Sequence, residues 1–406
     1  MSLTRQPGDP IPFILEIGRA LHVYGTPAHR LEETLRDIAK ALGIESMFFS
    51  TPTAIFSTFL TSEGEEEVYL QRIESGDVDL GKLSELDALA IQVAHGETTP
   101  HDASVIIDRV VAAAPRYGSI PTLLAFALTS AAASRFFGGG PAEMSMSVVV
   151  GLVVGLLGIG ASRVPAVARL FDPAAGLVVS LLAVLGASFV APLSVPIVTI
   201  AGLIVLVPGL TLTVSVSELA ERSLVSGTAR LHGALLVFLM LGFGVAVGGK
   251  LGTLISGSIP AMQPAAMPGW SEAIAVLVAC ICLTVLFKAP GRDVGWIILA
   301  GSITYSAVRF ASPEVGPELG VFAGAIVIGV FSNLHARLFN RPAALTRLPG
   351  MMLLVPGGLG FLSISSLLEQ DVLTGIQTAF RVAVIAVALV TGLIISNAIV
   401  PPGRRL

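Results

Sequence analysis

Residues Gly202-Leu-Ile-Val-Leu-Val-Pro-Gly209 and Gly350-Met-Met-Leu-Leu-Val-Pro-Gly357 decide the fold of this 406-residue chain. The second run lies 148 positions after the first. The same offset continues without a gap through Ser215/Ser363, Ser217/Ser365, Leu219/Leu367, Glu221/Glu369 and Gly227/Gly375. The back of the chain is therefore a duplicated unit. Each copy sets a helix breaker, Pro208-Gly209 or Pro356-Gly357, inside an apolar segment. Proline removes a backbone donor and clashes with the preceding turn, while glycine adds conformational freedom. In hydrocarbon the freed carbonyls find no water, so such breaks persist only where they face protein or a wet cavity.

The apolar setting extends far on both sides. The chain is 53% hydrophobic and 13% charged, with a mean hydropathy of +0.84, against roughly 25% charged residues in soluble proteins. Residues 1 to about 118 carry ordinary charge, and 119–400 carry almost none. The expected fold is an α-helical polytopic membrane protein preceded by a cytoplasmic α+β domain. Residues 1–118 form that domain, 119–258 a first five-span membrane repeat and 259–406 a second. The net charge of -4 gives no case for nucleic-acid binding. The first apolar run is late and broken by charge, unlike a signal peptide, so the N-terminal domain is expected to stay where it is made.

Apolar windows of spanning length recur near 120–137, 144–160, 174–191, 194–213, 231–250, 272–288, 294–311, 319–334, 348–367 and 376–399. These predict ten transmembrane helices, five per copy. With the N-terminal domain in the cytoplasm, the inner loops hold Arg163, Arg169, Arg222, Arg230, Lys288, Arg292, Arg337, Arg341, Arg347, Arg404 and Arg405. The outer loops hold Arg135, Lys250 and Arg309. Eleven basic residues against three obey the positive-inside rule. Because five is odd, tandem copies enter the bilayer from opposite sides. Two inverted repeats follow, the plan of many secondary transporters, whose sites lie where matching helices are broken.

The fourth and ninth spans carry the breaks, and polar groups follow each of them. After Pro208-Gly209 come Thr211, Thr213, Ser215 and Ser217, with Glu218 and Glu221 beyond; after Pro356-Gly357 come Ser363, Ser365 and Glu369. On a helix, Thr211, Ser215 and Glu218 share one face and Thr213, Ser217 and Glu221 nearly the opposite one; in an extended stretch all four hydroxyls line one side. The helical reading is preferred. These hydroxyls, together with the breaks and Asn333 of the eighth span, are the expected substrate-binding residues. A carboxylate at bilayer depth costs about 2.5–3.5 kcal/mol when charged. If deep, Glu218, Glu221 and Glu369 would carry a coupling proton; if shallow, they are headgroup-level caps. Asp371 and Arg381 are expected to pair at the outer surface, and Arg309 to reach toward the headgroups.

Within the N-terminal domain the pattern predicts two helices over 13–42 broken at Tyr24-Gly-Thr-Pro-Ala28, then strand-like runs near 46–51, 53–60 and 67–73. Two amphipathic helices follow near 83–95 and 101–114. His22, His29, His95 and His101 fit no metal spacing, and Cys280 and Cys282 sit in one apolar run where a packing role is expected. No phosphate loop or catalytic constellation occurs, so no enzyme activity and no cofactor is expected. Energy for transport would come from an ion gradient.

The stretches Gly25-Thr-Pro-Ala-His-Arg-Leu-Glu32, Val78-Asp-Leu-Gly-Lys-Leu83 and the repeated Leu206-Val-Pro-Gly209 resemble the bacterial threonine/serine exporter family, over nearly the whole chain. A related two-protein system is associated with succinate export. The resemblance implies export of L-threonine and L-serine from the cytoplasm across the bacterial inner membrane, driven by protons, with the lipid bilayer as surroundings and a homo-oligomer left open. Family sequences often show Asn and Asp after the first break, where this chain has Ser217 and Glu218. That departure keeps a dicarboxylate exporter, or a membrane sensor or channel with its ligand in the soluble domain, as alternatives.

Overall fold

The computed structural model describes residues 9–60, 64–74, 76–164, 168–257, 262–355, 357–368 and 371–403. Pro356, Glu369 and the expected boundary between repeats at 258/259 lie outside the described residues.

The N-terminal domain follows the periodicity of its sequence. Helices α1 (Ile11–Val23) and α2 (Ala28–Ala41) precede strands β1 (Ser46–Thr51), β2 (Ala54–Leu60) and β3 (Glu66–Arg72). The strands form an antiparallel meander in the order β1-β2-β3. Helices α3 (Leu80–Ala94) and α4 (Pro100–Ala112) complete the domain. Asp79 caps α3 by accepting from Lys82 N at 3.0 Å, and Thr99 caps α4 by accepting from Asp102 N at 3.1 Å. Strand alternation turns Phe48, Ile55 and Phe59 inward, onto Phe13, Ile17, Leu21, Leu31, Leu35 and Leu86 of the helices.

Beyond residue 118 the chain is helical. The first series is α5 (Ser119–Phe136), α6 (Pro141–Ala161), α7 (Phe171–Phe189), the short pair α8 (Val195–Leu203) and α9 (Gly209–Ala220), and α10 (Leu224–Ser256). The second is α11 (Trp270–Leu286), α12 (Val294–Val315), α13 (Pro317–Phe339), the short pair α14 (Ala344–Met352) and α15 (Gly357–Leu368), and α16 (Val372–Ile399). Among the described residues, seven segments are long and apolar enough to cross a membrane: α6, α7, α10, α12 with its preceding turn, α13, the α14–α15 segment and α16. Helices α9 and α11 are apolar but shorter. The structure thus supports a multi-pass membrane protein, with seven spans meeting that criterion where the hydropathy windows predict ten.

Among the described residues, one helix ends ahead of each Pro-Gly segment and another starts at its glycine. A 9-residue helix precedes each and a 12-residue helix follows it. The segment after Gly209 is helical, as preferred from the sequence. Packing also recurs at equivalent places. In the first series the third helix packs on the fifth (α7 on α10), and in the second α13 packs on α16. The half-helices α9 and α15 each pack on the long helix that follows them. A Cβ at Gly227 would meet Leu219 Cγ at 2.7 Å and the Ser215 carbonyl at 2.8 Å; Gly375 stands in the same relation to Leu367 and Ser363. Small residues at these crossings let the backbones close in.

The first helices of the two series run antiparallel. Tyr117, just before α5, donates to the Ala289 carbonyl just after α11 at 2.8 Å. At the opposite ends Arg135 of α5 pairs with Glu272 of α11 at 3.0 Å. The broken segments are anchored in matching fashion. Glu143, at the start of α6, accepts from Ser194 N at 2.8 Å ahead of α8. Asp293, at the start of α12, binds Arg341 at 2.8 and 2.9 Å ahead of α14.

Candidate functional site

The two breaks touch. Gly209 lies against Gly357 so closely that a Cβ on Gly209 would stand 3.3 Å from Gly357 Cα, and one on Gly357 3.4 Å from Gly209 Cα. Val355 closes over Gly209, and Val207, its counterpart 148 positions earlier, closes over Gly357. Glycine is required here because two backbones meet with no room for side chains.

Beside this contact runs a cavity of about 1030 Å³. Its walls include Ile204, Val205 and Leu206 before the first break and Met352 to Val355 before the second. The remaining surface comes from α5, α6, the start of α7, α11, α12, α13, α15 and α16, and is largely apolar. Polar lining is sparse: Thr122 and Thr129 on α5, Ser162 after α6 and Tyr305 on α12. Charged lining gathers at two ends. Asp77 and Lys288 approach each other at 3.7 Å on the side that carries the N-terminal domain. Glu272 and Arg381 line the far side. An apolar cleft with a few convergent polar groups is the usual form of a small-molecule site.

The hydroxyls expected at the site lie elsewhere. None of Thr211, Thr213, Ser215, Ser217, Ser363 and Ser365 lines this cavity. Thr213 donates to the Gly209 carbonyl at 3.1 Å and Ser215 to the Leu212 carbonyl at 2.7 Å, both within α9. Ser363 donates to the Gly375 carbonyl at 2.7 Å, tying α15 to α16. The half-helix geometry turns these groups onto backbone carbonyls, the usual way a helix in lipid satisfies a hydroxyl. Asn333 is fully buried away from the cavity. Its amide donates to Asn397 Oδ1 at 2.9 Å and to the Val400 carbonyl at 2.6 Å, and its carbonyl accepts from Arg347. The cavity takes its polar groups from the first helix of each series and from α12 and α16, where no motif marks them. A single hydroxyl such as Thr129 in an apolar helix carries no sequence signal of its own.

The carboxylates also separate. Glu218 is wholly buried, at the domain side of α9. It accepts from Ala28 N at 2.9 Å and from Arg230 Nε at 3.1 Å through both oxygens. It therefore holds the N-terminus of α2 against the membrane half. Glu221 is exposed just past α9. Arg381 pairs with Glu318 at 2.8 Å instead of Asp371, which caps α16 by accepting from Thr374 N at 3.3 Å. Arg309 approaches Glu272 at 3.8 Å. For Arg381 a partner distant in sequence, Glu318, stands closer in space than the neighbour suggested by the linear reading.

Further bonds join the domain to the membrane half: Leu80 N to the Phe287 carbonyl at 2.9 Å and Ser226 Oγ to the Ser50 carbonyl at 2.9 Å. Gly25 lies against Val78, so the two N-terminal sequence motifs meet at this seam. His29, next to Ala28, is pushed down to about 4 by burial and then by the positive charges of Arg30 and Arg347. Among the described residues no group of His, Cys, Asp and Glu could hold a metal ion.

Comparison with known proteins agrees with this architecture. Residues 12–252 match the model of a threonine/serine exporter family, and residues 272–399 match a second model described as "Threonine/Serine exporter, ThrE". Among curated relatives, "Pheromone-regulated membrane protein 10" of Saccharomyces cerevisiae (strain YJM789) is 27% identical over 375 residues, covering 90% of this chain and 48% of that protein. The protein of the same name from Candida albicans (strain WO-1) is 28% identical over 384 residues, covering 91% of this chain and 34% of the relative. That from Eremothecium gossypii is 28% identical over 355 residues, covering 86% and 48%. The chain spans between a third and half the length of these relatives. No solved structure matches.

Proposed function

Because this chain belongs to the threonine/serine exporter family, we propose that it is a secondary transporter that moves small hydroxy amino acids, L-threonine and L-serine first, out of the cytoplasm. The observation that carries the reading is the contact of two broken helices at Gly209 and Gly357 beside a cavity of about 1030 Å³. Breaks of this kind, at matching positions of two repeats, are where secondary transporters bind their solutes. The antiparallel course of α5 and α11 and the recurring helix pairs support two inverted repeats. In this reading α8–α9 and α14–α15 each count as one span, which gives ten. The basic residues of the loops support an N-terminal domain in the cytoplasm, and the family supports the bacterial inner membrane as the surroundings of the membrane half. The proton gradient is the proposed driving force, as the family resemblance implies.

Flux through reconstituted proteoliposomes tests this. Labelled L-threonine and L-serine are expected to move against a concentration difference when a pH gradient is imposed, and much more slowly without one. Succinate moved in preference to threonine would assign the cavity to a dicarboxylate instead. Movement that ignores the pH gradient would remove protons from the mechanism.

A further inference from the structure

We propose that the far end of the cavity is a zwitterion site, in which Glu272 takes the ammonium group of the solute and Arg381 its carboxylate. The assignment rests on the transporter reading above and adds the two side chains that would recognise the charged ends of an α-amino acid. Both residues line the cavity, Glu272 from the first turn of α11 and Arg381 from α16. Each is charge-balanced from behind by a group that does not line it. Arg135 Nη2 donates to Glu272 Oε1 at 3.0 Å, and Arg135 is itself fixed by its Nε bond to Ser271 Oγ at 2.7 Å. Glu318 accepts from Arg381 at 2.8 Å.

The geometry leaves Glu272 an open face. Its side chain keeps 29% of its surface exposed, while that of Arg135 keeps 9%. Tyr305, which also lines the cavity, donates to Glu272 Oε2 at 2.7 Å. A carboxylate offers about four acceptor positions, so two fixed donors, with Arg309 Nε standing off Oε2 at 3.8 Å, leave a position for an incoming ammonium. Held from two sides, Glu272 needs no reorganisation to meet it. The cavity thus presents one negative and one positive group on different helices at the same end, with mostly apolar walls elsewhere. An amino acid matches both signs. A dicarboxylate brings no ammonium to Glu272 and would set a like charge against it in a poorly solvated site. Discrimination by such repulsion is as effective as attraction.

The test uses the full chain in proteoliposomes and labelled L-threonine counterflow, with two competitors: 3-hydroxybutyrate, which lacks the ammonium, and 1-amino-2-propanol, which lacks the carboxylate. In the native protein both analogues should compete at least tenfold less well than threonine. Glu272→Gln should raise the KM for threonine by tenfold or more and erase the preference over 3-hydroxybutyrate. Glu272→Asp should recover part of it. Arg381→Gln should do the same with 1-amino-2-propanol. Equal competition by all three solutes in the native protein overturns the assignment, even if the variants fail to fold. So does a Glu272→Gln protein with native KM and selectivity. Native proteoliposomes that carry no amino acid at all overturn the transporter reading itself, which separates the two failures.

Discussion

Valine in place of Gly209 is expected to abolish threonine flux, by a hundredfold or more, while the protein still inserts and purifies as the native chain does. The expectation follows from the contact between the breaks. A Cβ on Gly209 would already collide with Val355 Cγ1 and stand 3.3 Å from Gly357 Cα and 3.5 Å from Gly357 N. Two of those atoms are backbone and have no rotamer to change. The breaks would have to part, carrying the cavity walls at Leu206 and Val355 with them. Overpacking at a tight contact costs about 1–3 kcal/mol, which a helix bundle of this size tolerates. A cavity shaped to a small solute tolerates far less, since a displacement of about 1 Å can cost a hundredfold in a positioned site. Gly357→Val should behave alike, because Val207 and Gly209 crowd it in the same manner. Gly233→Val in α10 is the control, as a Cβ there meets nothing within 4 Å. Flux, yield from the membrane fraction and melting temperature are measured together. Native flux in Gly209→Val would mean that the meeting of the breaks has no part in transport.

What was legible in the sequence was what repeats or alternates. The duplication gave the breaks, because Pro-Gly in an apolar run has a strong backbone consequence wherever it falls. Strand alternation gave the β1-β2-β3 meander, and hydropathy gave the course of the membrane helices. The polar side chains were harder to place. Ser215 and Ser363 share the offset of 148 yet serve their own backbone contacts, because a hydroxyl in an apolar helix is satisfied most cheaply by a nearby carbonyl. Glu272 was hidden by its position in the first turn of α11, where a carboxylate reads as a favourable helix start. Its pairing with Arg135, 137 residues earlier, and with Tyr305 is visible only in the folded chain. Glu143 and Asp293 were missed for the same reason. Their partners at Ser194 and Arg341 belong to other helices, and no local pattern records such a pairing.

Glu218→Gln should release the N-terminal domain from the membrane half. In the native protein this carboxylate is wholly buried and serves Ala28 N and Arg230 together. Removing one member of a buried ion pair costs about 3–5 kcal/mol, most of it from the charge left without its partner. The Arg230 side chain keeps 18% of its surface exposed, so the lower part of that range is expected. Limited proteolysis within residues 9–115 and amide exchange at the start of α2 read the release directly. Ala28→Pro isolates the hydrogen bond from the charge. Proline suits the first position of a helix, and the preceding Pro27 already has the extended backbone that a following proline demands. It removes the N–H and sets a ring carbon in its place against Glu218, so a loss on the order of 1–3 kcal/mol from the bond is expected, with crowding of the carboxylate in addition. Acid should act in the same direction. His29 titrates near 6.5 when free but is held down to about 4 in the docked seam, by burial and then by Arg30 and Arg347. The released state therefore binds more protons between those values. Docking should be fully present above pH 6.5 and weaken as pH falls toward 4, and His29→Asn should flatten that slope. Were Glu218 a proton carrier instead, Glu218→Gln would alter the pH profile of flux and leave the domain as protected as before. Protection of the native kind in both Glu218→Gln and Ala28→Pro would show that this seam is not what holds the domain.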